Sequence, residues 1–127
     1  MNKRELIIKR KETASKYHIG GMPNFARRKP NSVHLNPHNT IQHELKKTEV
    51  CYNLQKEKKQ FITEAVDNKT NLRRDIICLD DGIVHEIENS KSYRGHRHSP
   101  EIQVWWYDLG RERTYSEAKE DFDKKDL

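Results

Sequence analysis

No apolar run in this chain approaches the roughly 20 residues that span a membrane. Its opening, MNKRELIIKRKE, does not read as a secretory leader either: it is basic, but no apolar stretch of about 7–15 residues follows. Cysteine is scarce, and Cys51 and Cys78 lie far apart in apolar contexts with no CxxC spacing. They read as buried thiols of an intracellular, cytoplasmic protein. Apolar residues are also few, 32% of the 127 against 35% charged. Such a chain fits one domain with a thin core: a small sheet, a few helices, long polar edges and room for a partner subunit. No internal repeat is present.

Charge is plentiful and unevenly placed. The formal net charge is +5. Residues 1–37 carry Lys3, Arg4, Lys9, Arg10, Lys11, Lys16, Arg27, Arg28 and Lys29, opposed only by Glu5 and Glu12. A basic arm on a nearly neutral body points to a polyanion, most commonly nucleic acid. A lysine-rich soluble surface is the plainer alternative.

Periodicity divides the chain into a basic N-terminal arm, 1–37, and a domain, 38–127. In the arm, GGMPN, RRKPNS and LNPHN are turn and loop signals, so it reads as extended, with at most a short strand or helix near 5–10. A helix begins near Asn39, with Gln42 three residues on. Ile41, Leu45, Thr48 and Tyr52 recur at helical spacing with Leu54 beside them, which predicts its inner face. QFITEAV, 60–66, predicts a strand with Ile62, Glu64 and Val66 on one side and Phe61, Thr63 and Ala65 on the other.

RRDIICLDDGIVHEIEN predicts a hairpin turning at Asp81-Gly82. A two-residue loop there sets Asp75 across from Glu88 and Ile77 across from Glu86, gathering Asp75, Glu86 and Glu88 on one face. Ile77, Leu79 and Val84 continue that face, and Ile76, Cys78, Ile83 and Ile87 fill the other. SKSYRGHRHSP reads as a polar, basic loop. EIQVWWYDLG fits a strand by its β-branched and aromatic content and a helix by spacing; strand is the preferred reading. Thr114 to Glu117 is a capping box for a C-terminal helix bearing Ala118 and Phe122.

Several carboxylates on one half-buried face repel one another unless protons or cations intervene. Hard oxygen donors in such a cluster suit Mg²⁺ or Mn²⁺. Zinc is less suited, because neither His34, His38 and His43 nor His85, His96 and His98 has a recognised ligand spacing with cysteine.

The order of helix, strand, Asp-bearing strand, tight turn and E-x-E strand resembles the PD-(D/E)XK nuclease superfamily over about residues 39–109, most closely over 73–91. The run IQHELKKTEV, TEAV, RRDI and HEIE is also similar to nuclease-fold proteins of plasmid replication and relaxation. The resemblance implies an α/β (α+β) fold with a restriction-endonuclease-like core: a mixed central sheet flanked by helices in αβββαβ order. It places Arg74-Asp75 at the PD position and Glu86-Ile87-Glu88 at (D/E)XK. Glu44 resembles the helix carboxylate of Holliday-junction resolvases, and His43 the helix histidine of exonuclease-type members. Glu64 is a further acid from the first strand.

The chain departs from the pattern in two places. Arg74 replaces proline, and Glu88 replaces the lysine that would orient the attacking water. Lys91, Lys46 and Lys47 are the candidate substitutes.

The implied function is metal-dependent hydrolysis of DNA phosphodiesters, structure-selective and resolvase-like, by a homodimer on duplex or branched DNA. Asp75, Glu86, Glu88 and Lys91 are the expected catalytic residues, and Glu44, Glu64, Asp75 and Glu86 the expected Mg²⁺ or Mn²⁺ ligands. Arg27, Arg28, Lys29, Arg94, Arg97 and His98 are expected on DNA. The alternatives are a non-catalytic DNA-binding accessory protein on the same fold, and a structural or partner-binding module.

Overall fold

Asn2 opens the first helix, α1, Lys3–Ala14: its Oδ1 accepts the Glu5 N–H at 2.8 Å, and its Nδ2 donates to Glu5 Oε1 at 3.1 Å. This reciprocal cap corrects the extended-arm reading. The helix was illegible because it buries only Thr13 fully and shows no apolar stripe. It is fastened instead by charge, Arg10 donating to both oxygens of Asp80 at 2.8 and 3.1 Å. The computed structural model describes residues 1–88, 104–108 and 120.

After α1 comes β1, Tyr17–Ile19, then α2, Ile41–Lys56, and four strands: β2, Phe61–Asp67; β3, Arg73–Cys78; β4, Val84–Glu88; β5, Val104–Asp108. The fold is mixed α/β, with the strands in one sheet of order β1-β2-β3-β4-β5. The first four are antiparallel neighbours, and β5 runs parallel to β4. The preferred strand reading of the 104–108 segment holds. The expected C-terminal helix lies outside the described residues except at Glu120, which is helical.

Residues 1–37 are sewn to this sheet rather than projecting from it. β1 is its edge strand. Asn31 exchanges two bonds with Phe61, at 2.8 and 3.0 Å. Thr63 Oγ1 accepts the His34 N–H at 2.9 Å and donates to the Ser32 carbonyl at 3.0 Å.

α2 is capped by Thr40, whose Oγ1 accepts the His43 N–H at 3.2 Å, one residue past the expected Asn39. Its orientation is the reverse of the predicted one. Ile41, Leu45 and Tyr52 are 69, 63 and 63% exposed, whereas Lys47, Val50, Cys51 and Leu54 are buried. Lysine seldom reads as a core residue. Lys47 is tolerated there because its Nζ lies 2.7 Å from the His34 carbonyl and 2.5 Å from Glu44 Oε2.

The β3–β4 turn is also corrected. Cys78 N–H donates to the Ile83 carbonyl and Gly82 N–H to the Cys78 carbonyl, each at 2.9 Å, so the loop holds four residues, Leu79 to Gly82, rather than two. Gly82 adopts φ 77°, which glycine supplies without a Cβ clash. The ladder pairs Ile76 with His85 and Ile77 with Val84. One step further, Asp75 lies across from Glu86, not Glu88. The shift is by two residues, so each side chain keeps its predicted face. Ile77, Leu79 and Val84 join one core cluster; Ile76, Cys78 and Ile87 join the other, with Ile83 packed against it. The hairpin is covered on both sides, as its two apolar faces required.

β2 breaks the predicted alternation. Ile62 and Ala65 fall in the same cluster although three residues apart. Between them Glu64 has φ 50°, a left-handed conformation that costs a non-glycine residue of order 1–3 kcal/mol. The chain turns there, and Glu64 leaves the face that Ile62 and Val66 would have given it.

Candidate functional site

The kink at Glu64, the start of α2 and the far end of the β3–β4 hairpin surround one open cleft of about 380 Å³. Asn36, His38, Asn39, Thr40 and His43 form one wall; Glu64, Arg73, Asp75, Glu86, Ile87 and Glu88 form the rest. The expected acids of β2, β3 and β4 therefore do open onto a common space.

Asp75 is the most constrained of them. Its Oδ2 accepts the Ile87 N–H at 2.8 Å and lies 3.3 Å from His43 Nε2. Burial alone would raise its pKa; the hydrogen bond and charge of His43, then the Ile87 N–H, outweigh burial and hold it below the usual carboxylate range. Burial likewise opposes a charged His43, but Asp75 and Glu44 prevail and raise its pKa. Two elements distant in sequence thus meet at one contact, the helix histidine and the strand aspartate.

Glu86 has the opposite fate. Burial first, then the charge of Asp75 and a hydrogen bond to it, push its pKa well above the ordinary range, with Arg74 offsetting part. The two carboxyls shift in opposite directions, Asp75 down and Glu86 up, so their neighbourhood favours charge on Asp75. Arg74 Nη1 reaches Glu86 Oε1 at 3.4 Å from the other side.

Glu64 and Glu44 are both tied to Lys47. Glu64 is 5% exposed, and its Oε1 has no hydrogen-bond partner, the nearest cation being Lys47 Nζ at 3.8 Å. Burial raises its pKa, and Lys47 offsets part of the rise. Its carbonyl, turned out of the ladder by the kink, accepts from Arg28 Nε and Nη2 at 3.3 and 3.2 Å. Glu44 pairs with Lys47 and accepts from Asn39 Nδ2 at 2.9 Å and the Asn36 N–H at 3.2 Å. Against its burial, Lys47 and Asn39 lower its pKa. Glu44 therefore braces the loop before α2 and does not line the cleft. Among the described residues, no three His, Cys, Asp or Glu side chains form a complete metal-binding group, so the expected quartet of Glu44, Glu64, Asp75 and Glu86 is not assembled as one shell.

The basic residues are distributed differently from expectation. Arg28 is committed to Glu64, and Arg27 donates to the carbonyls of Ser15, Asn24 and Ala26. Lys29 is exposed. Lys46 pairs with Glu49 and lies 5.9 Å from the Tyr107 ring centroid, and Lys47 is wholly buried. Lys91, Arg94, Arg97 and His98 lie outside the described residues. Arg73, which sequence reasoning passed over in favour of Arg74, is the one lysine or arginine among the described residues that lines the cleft. Its only sequence signal was adjacency to the Arg74-Asp75 pair. The Asn36–Thr40 wall was legible only as a turn-rich loop.

Compared with protein-family models, curated proteins and solved structures, the chain matches none. No helix among the described residues is long and apolar enough to cross a membrane.

Proposed function

We propose that this protein is a metal-dependent nuclease that hydrolyses DNA phosphodiester bonds at the Asp75–Glu86 cleft, on a restriction-endonuclease-like core. One observation carries the reading: two acids from adjacent strands, Asp75 and Glu86, stand side by side on the wall of an open cleft, one of them oriented by a histidine and a backbone N–H. Proteins seldom bury paired carboxylates without a charge to receive. The order of α2, β2, β3, β4 and a β5 parallel to β4 is in keeping with the αβββαβ core.

The donor set fits Mg²⁺ or Mn²⁺. Such ions keep several waters and take one or two protein carboxylates plus substrate phosphate, so Asp75, Glu86 and the Ile87 carbonyl suffice, with the unpartnered Glu64 Oε1 close to the same cleft. When bound, the ion would supply an acidified water and offset charge on the phosphate. The protein's own share is positional. His43 and the Ile87 N–H fix the Asp75 carboxylate, Lys47 steadies Glu64 and Glu44, and Glu88 accepts a hydrogen bond from the attacking water in the lysine's place. A structure-selective, resolvase-like homodimer on duplex or branched DNA is the form proposed, with Lys29, the exposed cations of α1 and the basic residues Arg94, Arg97 and His98 meeting the backbone.

Glu88 also favours a second reading. With an acid at the lysine position and Lys47 shut away, the cleft can bind nucleic acid as an accessory protein without cutting it. Incubation with branched, duplex and single-stranded DNA, in Mg²⁺, Mn²⁺ or EDTA and beside Asp75→Asn, separates the two. Metal-dependent products absent from the variant support the nuclease; binding without products supports the accessory protein; neither binding nor products refutes both.

A further inference from the structure

Arg73 stands out as a cation that no described residue pairs with directly. It lines the cleft, is exposed, and makes no hydrogen bond or ion pair with any described residue. The other arginines near the site are spent on the protein: Arg28 on the Glu64 carbonyl and Arg74 on Glu86. Arg73 acts on Glu64 only through space, slightly opposing the rise in that acid's pKa.

A Cβ added to Gly20 would stand 2.8 Å from Arg73 Nη2 and 3.3 Å from Val66 Cγ2. The guanidinium therefore lies over the bare backbone at the end of β1, and a side chain there would make its tip move. Four acids on the cleft wall, Glu64, Asp75, Glu86 and Glu88, repel any polyanion. A strand entering the cleft needs one fixed cation to set its register, and guanidinium matches two phosphate oxygens in a fork.

We propose that Arg73 is a phosphate-binding residue of the cleft, gripping a backbone phosphate of the nucleic-acid strand and so fixing which linkage reaches Asp75 and Glu86. The proposal rests on the nucleic-acid reading of the same site and names the contact that reading lacks.

The test is fluorescence anisotropy of short single-stranded and duplex DNA with Ca²⁺, across a salt series, on the full chain. Wild type is compared with Arg73→Ala, Arg73→Lys and Gly20→Ala, each checked by circular dichroism. Arg73→Ala is expected to weaken binding about tenfold for every sequence and to lower the salt slope by about 0.7–0.9, one phosphate's worth. Arg73→Lys should recover part of the loss, and Gly20→Ala, which displaces the guanidinium, should reproduce part of it. One methylphosphonate linkage moved along the strand should cost wild type a similar factor at a single position and cost Arg73→Ala nothing there. Wild-type affinity and slope in Arg73→Ala overturn the proposal while leaving a DNA-binding cleft intact. Failure of wild type to bind any DNA overturns the cleft reading as well.

Discussion

His43 Nε2 lies 3.3 Å from Asp75 Oδ2, so one contact joins the first turn of α2 to the first strand of the β3–β4 hairpin. The histidine holds the aspartate both in place and in charge. Replacing it with alanine is expected to lower Mn²⁺ affinity about 10–100-fold, as loss of an outer partner of a ligating carboxylate generally does. Titration followed by Mn²⁺ electron paramagnetic resonance checks this. Unchanged affinity would make His43 a bystander.

The raised pKa of Glu86 has a further signature. Burial and the charge of Asp75 favour its protonated form, so a cation arriving at these oxygens competes with a proton. Calorimetry of Mg²⁺ or Mn²⁺ binding in buffers of different ionisation enthalpy should show proton release, and affinity should climb with pH. Glu86→Gln should abolish the buffer dependence.

His85 sets a limit on acid stability. Burial, then the charge of Lys59, lowers its pKa to about 3, and its Nδ1 lies 2.8 Å from the Tyr107 hydroxyl. The unfolded chain holds this histidine near 6.5, so between those values the unfolded state binds the extra proton. Stability is complete above about 6.5 and falls toward pH 3, by up to about 1.4 kcal/mol per unit. Urea melts of wild type and His85→Gln at pH 7, 5 and 4 should diverge in that sense. Parallel curves would place the pH dependence elsewhere.

The two faces of α2 give opposite expectations for the same substitution. Leu54 is 1% exposed and Leu45 is 63% exposed. Leu54→Ala should cost about 2–5 kcal/mol, and Leu45→Ala within about 0.5 kcal/mol of nothing. Denaturant midpoints decide it, and equal losses would mean that the exposed stripe is covered in solution.

Glu64 should behave as a strained acid. At φ 50° asparagine is better tolerated than glutamate, and the substitution removes a carboxylate whose burial is only partly offset. Glu64→Asn is expected to raise stability by about 1 kcal/mol, read from the thermal midpoint. A lower midpoint would show that the Lys47–Glu64 pair outweighs the strain.

These outcomes track what the sequence could disclose. Runs whose patterning follows one face were legible: β3, β4 and their acids emerged with the correct sides. The error in the turn moved the partner of Asp75 from Glu88 to Glu86 without changing its face, since a four-residue loop and a two-residue loop differ by a full period of the pleat. What escaped depended on pairing across long separations. Lys47 is a core residue only because Glu44 and the His34 carbonyl receive it, so the inner face of α2 read as its outer one. Glu64 alternates correctly as text, but its backbone turns at the Arg28 contact, 36 residues away. The helix α1 has no stripe at all, and its anchor lies beyond any local window.

That anchor gathers distant parts of the chain at one side chain. Asp80 takes the Arg10 guanidinium from 70 residues upstream, and the same carboxylate accepts the Gln60 N–H at 3.0 Å. Arg10 also donates to the Lys58 carbonyl at 3.3 Å. The first helix, the segment leading into β2 and the β3–β4 turn are therefore fastened at a common corner, and a substitution at Asp80 would loosen all three together.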